Sequence, residues 1–168
     1  GTINLTTSNV VIQTNDSIDE INITGSGTYW WIQANDVNIT KLNFSGEVSA
    51  GVPNCPVSPY KAQVCIFNSD KVNISNSYFS GNPSTADHSA IGIYASNGTY
   101  IGNSSFRGVS NGIAAGTTSS NLASSRSVGN LTFHMLNVSG FLSRAILLNA
   151  AADINITNSY FQNGIPGS

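Results

Sequence analysis

Apolar residues recur at fixed spacings in five aligned segments of the chain. Each segment has an apolar residue, here called the anchor, with further mostly apolar positions two residues before it and five residues after it. The anchors are Ile39, Ile74, Ile101, Phe133 and Ile156, preceded by Val37, Val72, Thr99, Leu131 and Ile154 and followed by Phe44, Phe79, Phe106, Val138 and Phe161. Alternation of apolar and polar residues with a period of two is typical of short strands that bury one face.

A second pair of apolar positions lies ten and eight residues before four of the anchors. These residues are Tyr29 with Trp31, Val64 with Ile66, Ile91 with Ile93, and Ile146 with Leu148. In the Phe133 copy a Ser/Thr-rich loop insertion at 116–127 displaces the corresponding Ile113 upstream. The pattern therefore predicts two short strands in each repeat. It also predicts a third element at the apolar position five residues after the anchor.

The spacing of the anchors predicts the fold class. Successive anchors are 35, 27, 32 and 23 residues apart, and the longer intervals are explained by loops. A repeat of this length without a helical pattern suits a coil of three short parallel strands, each stacked on its equivalent about 4.8 Å away. We therefore predict an all-β, single-domain right-handed parallel β-helix over residues 1–168, with about five to six coils. A β-sandwich with coincidental spacing is the alternative.

The repeated segments resemble those of the pectate-lyase-like superfamily of parallel β-helix proteins, over roughly 21–164. This architecture carries lyases, hydrolases, tailspikes, adhesins and surface proteins, so the resemblance implies a fold rather than an activity. It also implies a ladder of asparagines that turn inward at a corner, two residues after the anchors. The matching residues are Asn76, Asn103 and Asn158, whereas Lys41 and Met135 depart from the pattern.

The surface is predicted to be polar but poor in charge. Charged residues make up 8% of the chain, compared with roughly 25% in an ordinary soluble domain. The net charge of −2 provides no basic surface for nucleic acid, and no apolar run approaches the roughly 20 residues of a membrane span. The chain begins at Gly1 rather than at Met, as a mature, processed product or an excised fragment would.

Two cysteines, Cys55 and Cys65, are ten residues apart. Cys55 belongs to a loop insertion at 47–63 that is rich in proline. In a secreted protein such a pair is typical of a disulfide that fixes a loop. A metal site is the alternative, but two thiols without a nearby His or Asp form an incomplete ligand set. We expect no metal and no cofactor.

The chain contains eleven Asn-x-Ser/Thr sequons, which make it a candidate for N-glycosylation. The asparagines are Asn4, Asn15, Asn22, Asn38, Asn43, Asn73, Asn97, Asn103, Asn130, Asn137 and Asn155. Several of them precede an apolar strand residue, so alternation points them outward. Glycans there would hydrate a surface that has few charges. A polar face that is never glycosylated is the alternative.

Catalytic residues are not grouped in the sequence. The outward positions beside the anchors hold no carboxylate, whereas lyases and hydrolases need clustered carboxylates. The acidic residues Asp36, Asp70 and Asp153 precede predicted strands, where Asp caps turns. The other candidates are Asp87 beside His88 in a loop and the isolated His134. We therefore predict that the protein is not an enzyme.

The ends of a β-helix leave unpaired backbone groups, and the sequence provides no amphipathic helix to cover them. Residues 1–20 are predicted to form an edge that takes part in assembly. Trp30 and Trp31 are adjacent, so alternation buries one and exposes the other for a subunit contact. The function that we expect is that of a glycosylated structural subunit of an extracellular filament or surface layer. The alternatives are a carbohydrate-binding adhesin or viral tail-fibre module, and a degenerate polysaccharide lyase or hydrolase.

Overall fold

The computed structural model describes residues 2–13, 20–24, 29–45, 55, 61–81, 88–116 and 127–163. These residues form an all-β structure without a helix. The strands are β1 (Thr2–Leu5), β2 (Val11–Ile12), β3 (Ile21–Ile23), β4 (Tyr29–Ile32), β5 (Val37–Thr40), β6 (Leu42–Phe44), β7 (Lys61–Phe67), β8 (Val72–Ser75), β9 (Tyr78–Ser80), β10 (His88–Tyr94), β11 (Tyr100–Arg107), β12 (Asn111–Gly116), β13 (Leu131–Ser139), β14 (Arg144–Asn149), β15 (Ile154–Thr157) and β16 (Tyr160–Gln162). Most of each predicted loop insertion lies outside the described residues. The parts left out are residues 47–54 and 56–60 of the first insertion and residues 117–126 of the second.

The strands form two sheets in which the described pairs are parallel. The first sheet has the order β1-β4-β7-β10-β12-β14. The second has two arms, β2-β5-β8 and β3-β6-β9, which meet at the long strand β11; β13 then pairs with β11, β15 and β16. In the first sheet, and in each arm of the second, neighbouring strands follow one another in the order in which they occur along the chain. Each such series of paired strands is here called a row.

The pairing register aligns equivalent residues of successive repeats. Each line of aligned residues is here called a column. The anchor column is Ile12–Ile39–Ile74–Ile101–Phe133–Ile156. The column of the third element is Ile23–Phe44–Phe79–Phe106–Val138–Phe161. Both alignments agree with the register that the sequence predicts. The anchors from Ile39 to Phe133 are fully buried, so the interior columns form the core.

The first sheet contributes two further apolar columns to the core. They are Ile3–Trp30–Val64–Ile91–Ile113–Ile146 and Leu5–Ile32–Ile66–Ile93–Ala115–Leu148. The predicted placement of Tyr29 and Trp31 in these columns was wrong by one residue. Ile32 lies seven residues before its anchor whereas Ile66 lies eight before its own, so a shorter connection brings Trp30 and Ile32 inward.

The connections between strands repeat one backbone conformation. One column of turn residues has positive φ throughout: Asn9 at 61°, Asp36 at 54°, Lys71 at 56°, Gly98 at 70°, Asn130 at 50° and Asp153 at 53°. A second such column, two residues after the anchors, consists of Lys41, Asn76, Asn103, Met135 and Asn158. Asn, Asp and Gly tolerate this left-handed conformation better than other residues, which explains their frequency at the turns.

Candidate functional site

The columns end in exposed apolar side chains at the C-terminal edge of the sheets. Leu148, Ile156 and Phe161 are 40%, 41% and 40% exposed, although they occupy the same positions as fully buried residues in the preceding repeats. With Ala145 and Ile146 they line an open hollow of about 260 Å³. Ile156 was predicted to be buried like Ile74 and Ile101, and this was wrong because none of the described strands covers it.

The N-terminal edge exposes the first members of the same columns. Ile3 is 40% exposed, and Leu5, Ile12, Ile21 and Ile23 are half-buried. Strands β1, β2 and β3 each pair on one side only among the described residues. Their other side presents backbone N–H and C=O groups and apolar side chains together. The predicted assembly segment 1–20 contains β1 and β2, and its residues 14–19 lie outside the described part of the chain.

The asparagine ladder is present in part, but it does not turn inward. Asn103 Nδ2 donates to Asn76 Oδ1 at 2.6 Å, and both side chains are exposed, as is that of Asn158. The predicted inward orientation was wrong because these residues adopt the left-handed conformation, with φ of 51° and 46° at Asn76 and Asn103. The ladder therefore bridges successive turns on the outside of the protein.

Buried serines satisfy the backbone at the same corner. Ser77 Oγ donates to the Ser75 carbonyl at 2.8 Å and accepts the N–H of Leu42 at 3.2 Å. Ser104 Oγ donates to the Gly102 carbonyl and accepts the Ser77 N–H in the same way. Ser159 accepts the Leu136 N–H, and Ser69 and Ser96 repeat the arrangement at another corner. Sequence reasoning missed these serines, although Ser recurs three residues after the anchors Ile74, Ile101 and Ile156.

The predicted disulfide is not formed in the structure, which contains Cys55 and Cys65 as buried free thiols. The two side chains are hydrogen-bonded neighbours in a small apolar cluster with Ala62 and Tyr94. Burial raises the pKa of the Cys65 thiol, and the adjacent Cys55 raises it further, so the thiol stays protonated. Joining them requires an oxidant, and their oxidation stays a prediction.

The same cluster covers Trp31. Trp30 is buried in the main core, as alternation predicts for one of the two residues. Trp31 is half-buried, packs against the cysteine cluster and lies 5.7 Å from Tyr29 between ring centroids. The Trp that was expected to be exposed for a subunit contact therefore packs against residues of its own chain.

The described sequons differ in accessibility. The exposed asparagines are Asn4, Asn22, Asn103, Asn130, Asn137 and Asn155. The half-buried ones are Asn38, Asn43, Asn73 and Asn97, and Asn15 lies outside the described residues. Asn38 and Asn73 are register partners, and the Oδ1 atom of each is buried without a hydrogen-bond partner.

The candidate catalytic residues are not brought together. Asp36 forms an exposed ion pair with Lys71 at 3.6 Å, and Asp153 is exposed in the corresponding turn. The His134 ring contacts Thr157 Oγ1 at 2.8 Å. Asp87 lies outside the described residues. Within the described ranges no three His, Cys, Asp or Glu side chains are grouped as a metal site would require.

A shallow polar groove crosses the outer face of β9, β11, β13 and β16. It has a volume of about 320 Å³, and its lining includes Tyr78, Arg107, Asn137 and Gln162 with the hydroxyls of Ser105 and Ser139. No carboxylate lies in this lining. The groove therefore offers an aromatic face, a guanidinium group, amides and hydroxyls to a ligand.

Comparison of the chain with known proteins finds no matching family model, no matching curated protein and no matching solved structure. The part of the chain that the structure describes contains no helix that is long and apolar enough to cross a membrane.

Proposed function

We propose that this protein is a structural subunit of an extracellular, N-glycosylated filament or surface layer, and that its subunits join through the two open edges. The observation that carries the proposal is the change in burial along the columns. They are fully buried in the interior and end in exposed apolar residues at both edges, at Ile3 on one side and at Leu148, Ile156 and Phe161 on the other.

The proposal includes the fold of a right-handed parallel β-helix related to the pectate-lyase-like superfamily. The parallel pairing in chain order supports a coil, since each repeat contributes one strand to the first sheet and either two short strands or one long strand to the second. The repeated left-handed turns support it as well, because every coil then bends at the same positions. Interior residues are covered by both neighbouring repeats, whereas the first and last repeats are each covered on one side only by the described residues.

Assembly through the edges removes apolar surface from water and pairs backbone groups in one step. Burying a side chain such as Leu, Ile or Phe contributes about 1.5–3 kcal/mol. An exposed sheet edge that lacks charged residues readily pairs with another chain. Of the six edge strands, β14 contains one charged residue, Arg144, whereas β1, β2, β3, β15 and β16 contain no Lys, Arg, Asp or Glu. Repulsion between neighbouring subunits is therefore weak at these strands.

Electron microscopy of the negatively stained protein, combined with sedimentation at several concentrations, tests this function. We expect long fibres whose length increases with protein concentration. Phe161→Asp should abolish them, because it places a charge in the proposed joint. Tyr160→Asp is the matched control, since Tyr160 lies on the same strand but is 57% exposed and belongs to the column of Asn137, outside the core columns. A full-length protein that stays monomeric at high concentration would contradict the filament function.

A carbohydrate-binding adhesin or tail-fibre module is the second candidate, and the groove beside Tyr78 favours it. Aromatic faces with neutral hydrogen-bonding groups are suited to sugars, because a sugar ring presents both an apolar face and hydroxyls. Binding to a glycan array that is lost on Tyr78→Ala, in a protein that forms no fibres, would favour this function over the first.

A further inference from the structure

We infer that the joint between subunits is an in-register, head-to-tail continuation of the sheets. In this joint β14, β15 and β16 of one copy pair in parallel with β1, β2 and β3 of the next. The inference rests on the proposed filament function and specifies its partner surface. A second copy of the chain is the occupant of the C-terminal hollow at Ile156 and Phe161.

Strand direction and strand order allow this joint without any rearrangement. Strand β1 begins the row that β14 ends, β2 begins the row that leads to β15, and β3 begins the row that leads to β16. Because the described pairs are parallel, a copy that is shifted along the stack presents its three N-terminal strands in the required direction and order. A face-to-face contact of two C-terminal edges reverses the strands of one copy, and such a symmetric contact closes as a dimer.

The turns at both edges already have the backbone conformation of the interior. Asn9 at the N-terminal edge and Asp153 at the C-terminal edge have φ of 61° and 53°, within the range of the four turns between them. A shift of the joint by one residue would turn every side chain to the opposite face. A shift by two residues would keep the faces but would place these left-handed turns beside extended strands. The turns therefore select the in-register joint.

The side chains that meet in this register are complementary. It continues the apolar columns by placing Ile146 against Ile3, Leu148 against Leu5, Ile156 against Ile12 and Phe161 against Ile23. Polar residues are also matched, since Asn158 would lie beside Glu20 and Asp153 beside Asn9. Glu20 already accepts a side-chain amide within the chain, from Asn43 Nδ2 at 2.9 Å. No two like charges face each other among these pairs.

Cysteine cross-linking tests the register, with outward residues that leave the core unchanged. Val11 and Asn155 are exposed and belong to one column, at its two ends. Five register steps of about 4.8 Å separate them by about 24 Å within one chain, so a bond between them must join two copies. In the proposed joint their backbones lie about 4.8 Å apart, within the range that a disulfide bridges.

The matched control moves one cysteine along the strand by two residues. The Val11→Cys/Asn155→Cys protein should form disulfide-linked multimers under mild oxidation, whereas Val11→Cys/Thr157→Cys should not. A shift of two residues increases the separation to about 8 Å, beyond the roughly 7 Å limit. In the proposed joint Gln13 lies beside Thr157, so Gln13→Cys/Thr157→Cys should link and Gln13→Cys/Asn155→Cys should not. Every one of these variants removes the sequon at Asn155, so glycosylation at that site does not differ between them.

The linked peptides are identified by mass spectrometry, which separates them from Cys55 and Cys65. Fibres without any in-register link, or with equal linking by the shifted pairs, would overturn the inference and leave the filament function standing. Dimers linked between two Asn155→Cys residues in the single variant would show a face-to-face joint and overturn it as well. Absence of fibres and of linked multimers in all variants would refute the filament function itself.

Discussion

The rings of Phe79 and Phe106 are stacked, with centroids 5.0 Å apart and planes inclined by 7°. The two residues are register partners on β9 and β11, and both are fully buried. Their sequence separation of 27 residues equals that of their anchors Ile74 and Ile101. One contact thus joins two consecutive repeats at the third element.

Replacing Phe106 with alanine should destabilise the protein by about 3–5 kcal/mol, because the change removes a buried ring and leaves a cavity between Phe79 and Val138. Ser105→Ala is the control on the same strand, since Ser105 is half-buried and lies on the outer face. Denaturant unfolding followed by circular dichroism measures both. A loss below 1 kcal/mol for Phe106→Ala would show that the column is not a continuous core.

Ser104→Ala should cost about 1–3 kcal/mol, because it leaves the buried N–H of Ser77 without its acceptor. The neighbouring exposed residue gives a sharp contrast. Asn103→Gly retains the left-handed turn and removes a solvent-exposed hydrogen bond between two side-chain amides, so a change below about 1 kcal/mol is expected. Denaturant unfolding measures the free energy of unfolding of both variants. An equal decrease in the two would contradict the conclusion that the buried serines stabilise the turns more than the exposed asparagines do.

Met135→Asn should stabilise the protein by about 1 kcal/mol, since Met135 has a φ of 52° that asparagine adopts at lower cost. Met135 is 50% exposed, so little packing is lost. Thr132→Asn on the same strand is the control and should not stabilise. Thermal unfolding measures both variants. A lower melting temperature for Met135→Asn would argue against strain at this turn.

The pair Cys55 and Cys65 should form a disulfide under oxidising conditions, since the two thiols are already in contact. Closing a loop of about ten residues contributes roughly 2–3 kcal/mol in the chain-entropy model. Intact mass before and after reduction and alkylation detects the bond. Two thiols that alkylate freely in the unreduced native protein would exclude the disulfide and weaken the proposal of secretion.

Asn38 and Asn73 should not both carry glycans on one molecule, because they are register partners about 4.8 Å apart and a glycan is bulky. Glycopeptide mass spectrometry of the native protein should give occupancies that add up to no more than one. Ser75→Ala removes the Asn73 sequon and should raise the occupancy at Asn38. Full occupancy of both sites would contradict this exclusion, and unmodified asparagine at every sequon would refute the glycoprotein proposal.

The exposed sequons provide a comparison. We predict that Asn155 carries a glycan more often than Asn38 or Asn73, since its side chain is exposed. A ladder turned inward, as the resemblance implies, would keep a glycan off Asn103. Asn103 is exposed in the structure, and its Nδ2 atom is engaged with Asn76. Glycosylation there would replace one amide hydrogen and compete with that bond.

The interior columns were predictable because strand alternation and repeat spacing act on the same residues. Ile74, Ile101 and Phe106 were placed correctly, since a shift of one residue would expose all of them together. Trp30 was misplaced because the register of its strand depends on a connection one residue shorter than in the next repeat. A residue with positive φ points its side chain away from the direction that strand alternation predicts. The hydrophobic pattern does not reveal that Asn76 has positive φ, so its outward orientation could not be predicted from the pattern.

The edges could not be placed by the pattern alone. Ile156 has the sequence environment of Ile74, and it is exposed because none of the described strands pairs with the other side of β15, rather than because of any local property. The contact between Cys55 and Cys65 was predictable from spacing, whereas their position over Trp31 was not. That position brings Cys55 together with Cys65 of β7 and Tyr94 of β10.

The repeated left-handed turn has a consequence for how such a gene can change. Because Asn9 and Asp153 have the same backbone conformation as the turns between them, duplicating or deleting one whole repeat leaves both ends of the protein chemically unaltered. A duplication of the 23 residues from Phe133 to Asn155 would lengthen the molecule by one repeat without creating a new surface. In the proposed head-to-tail filament, subunit length could therefore change during evolution while subunits of different lengths would remain able to join one another.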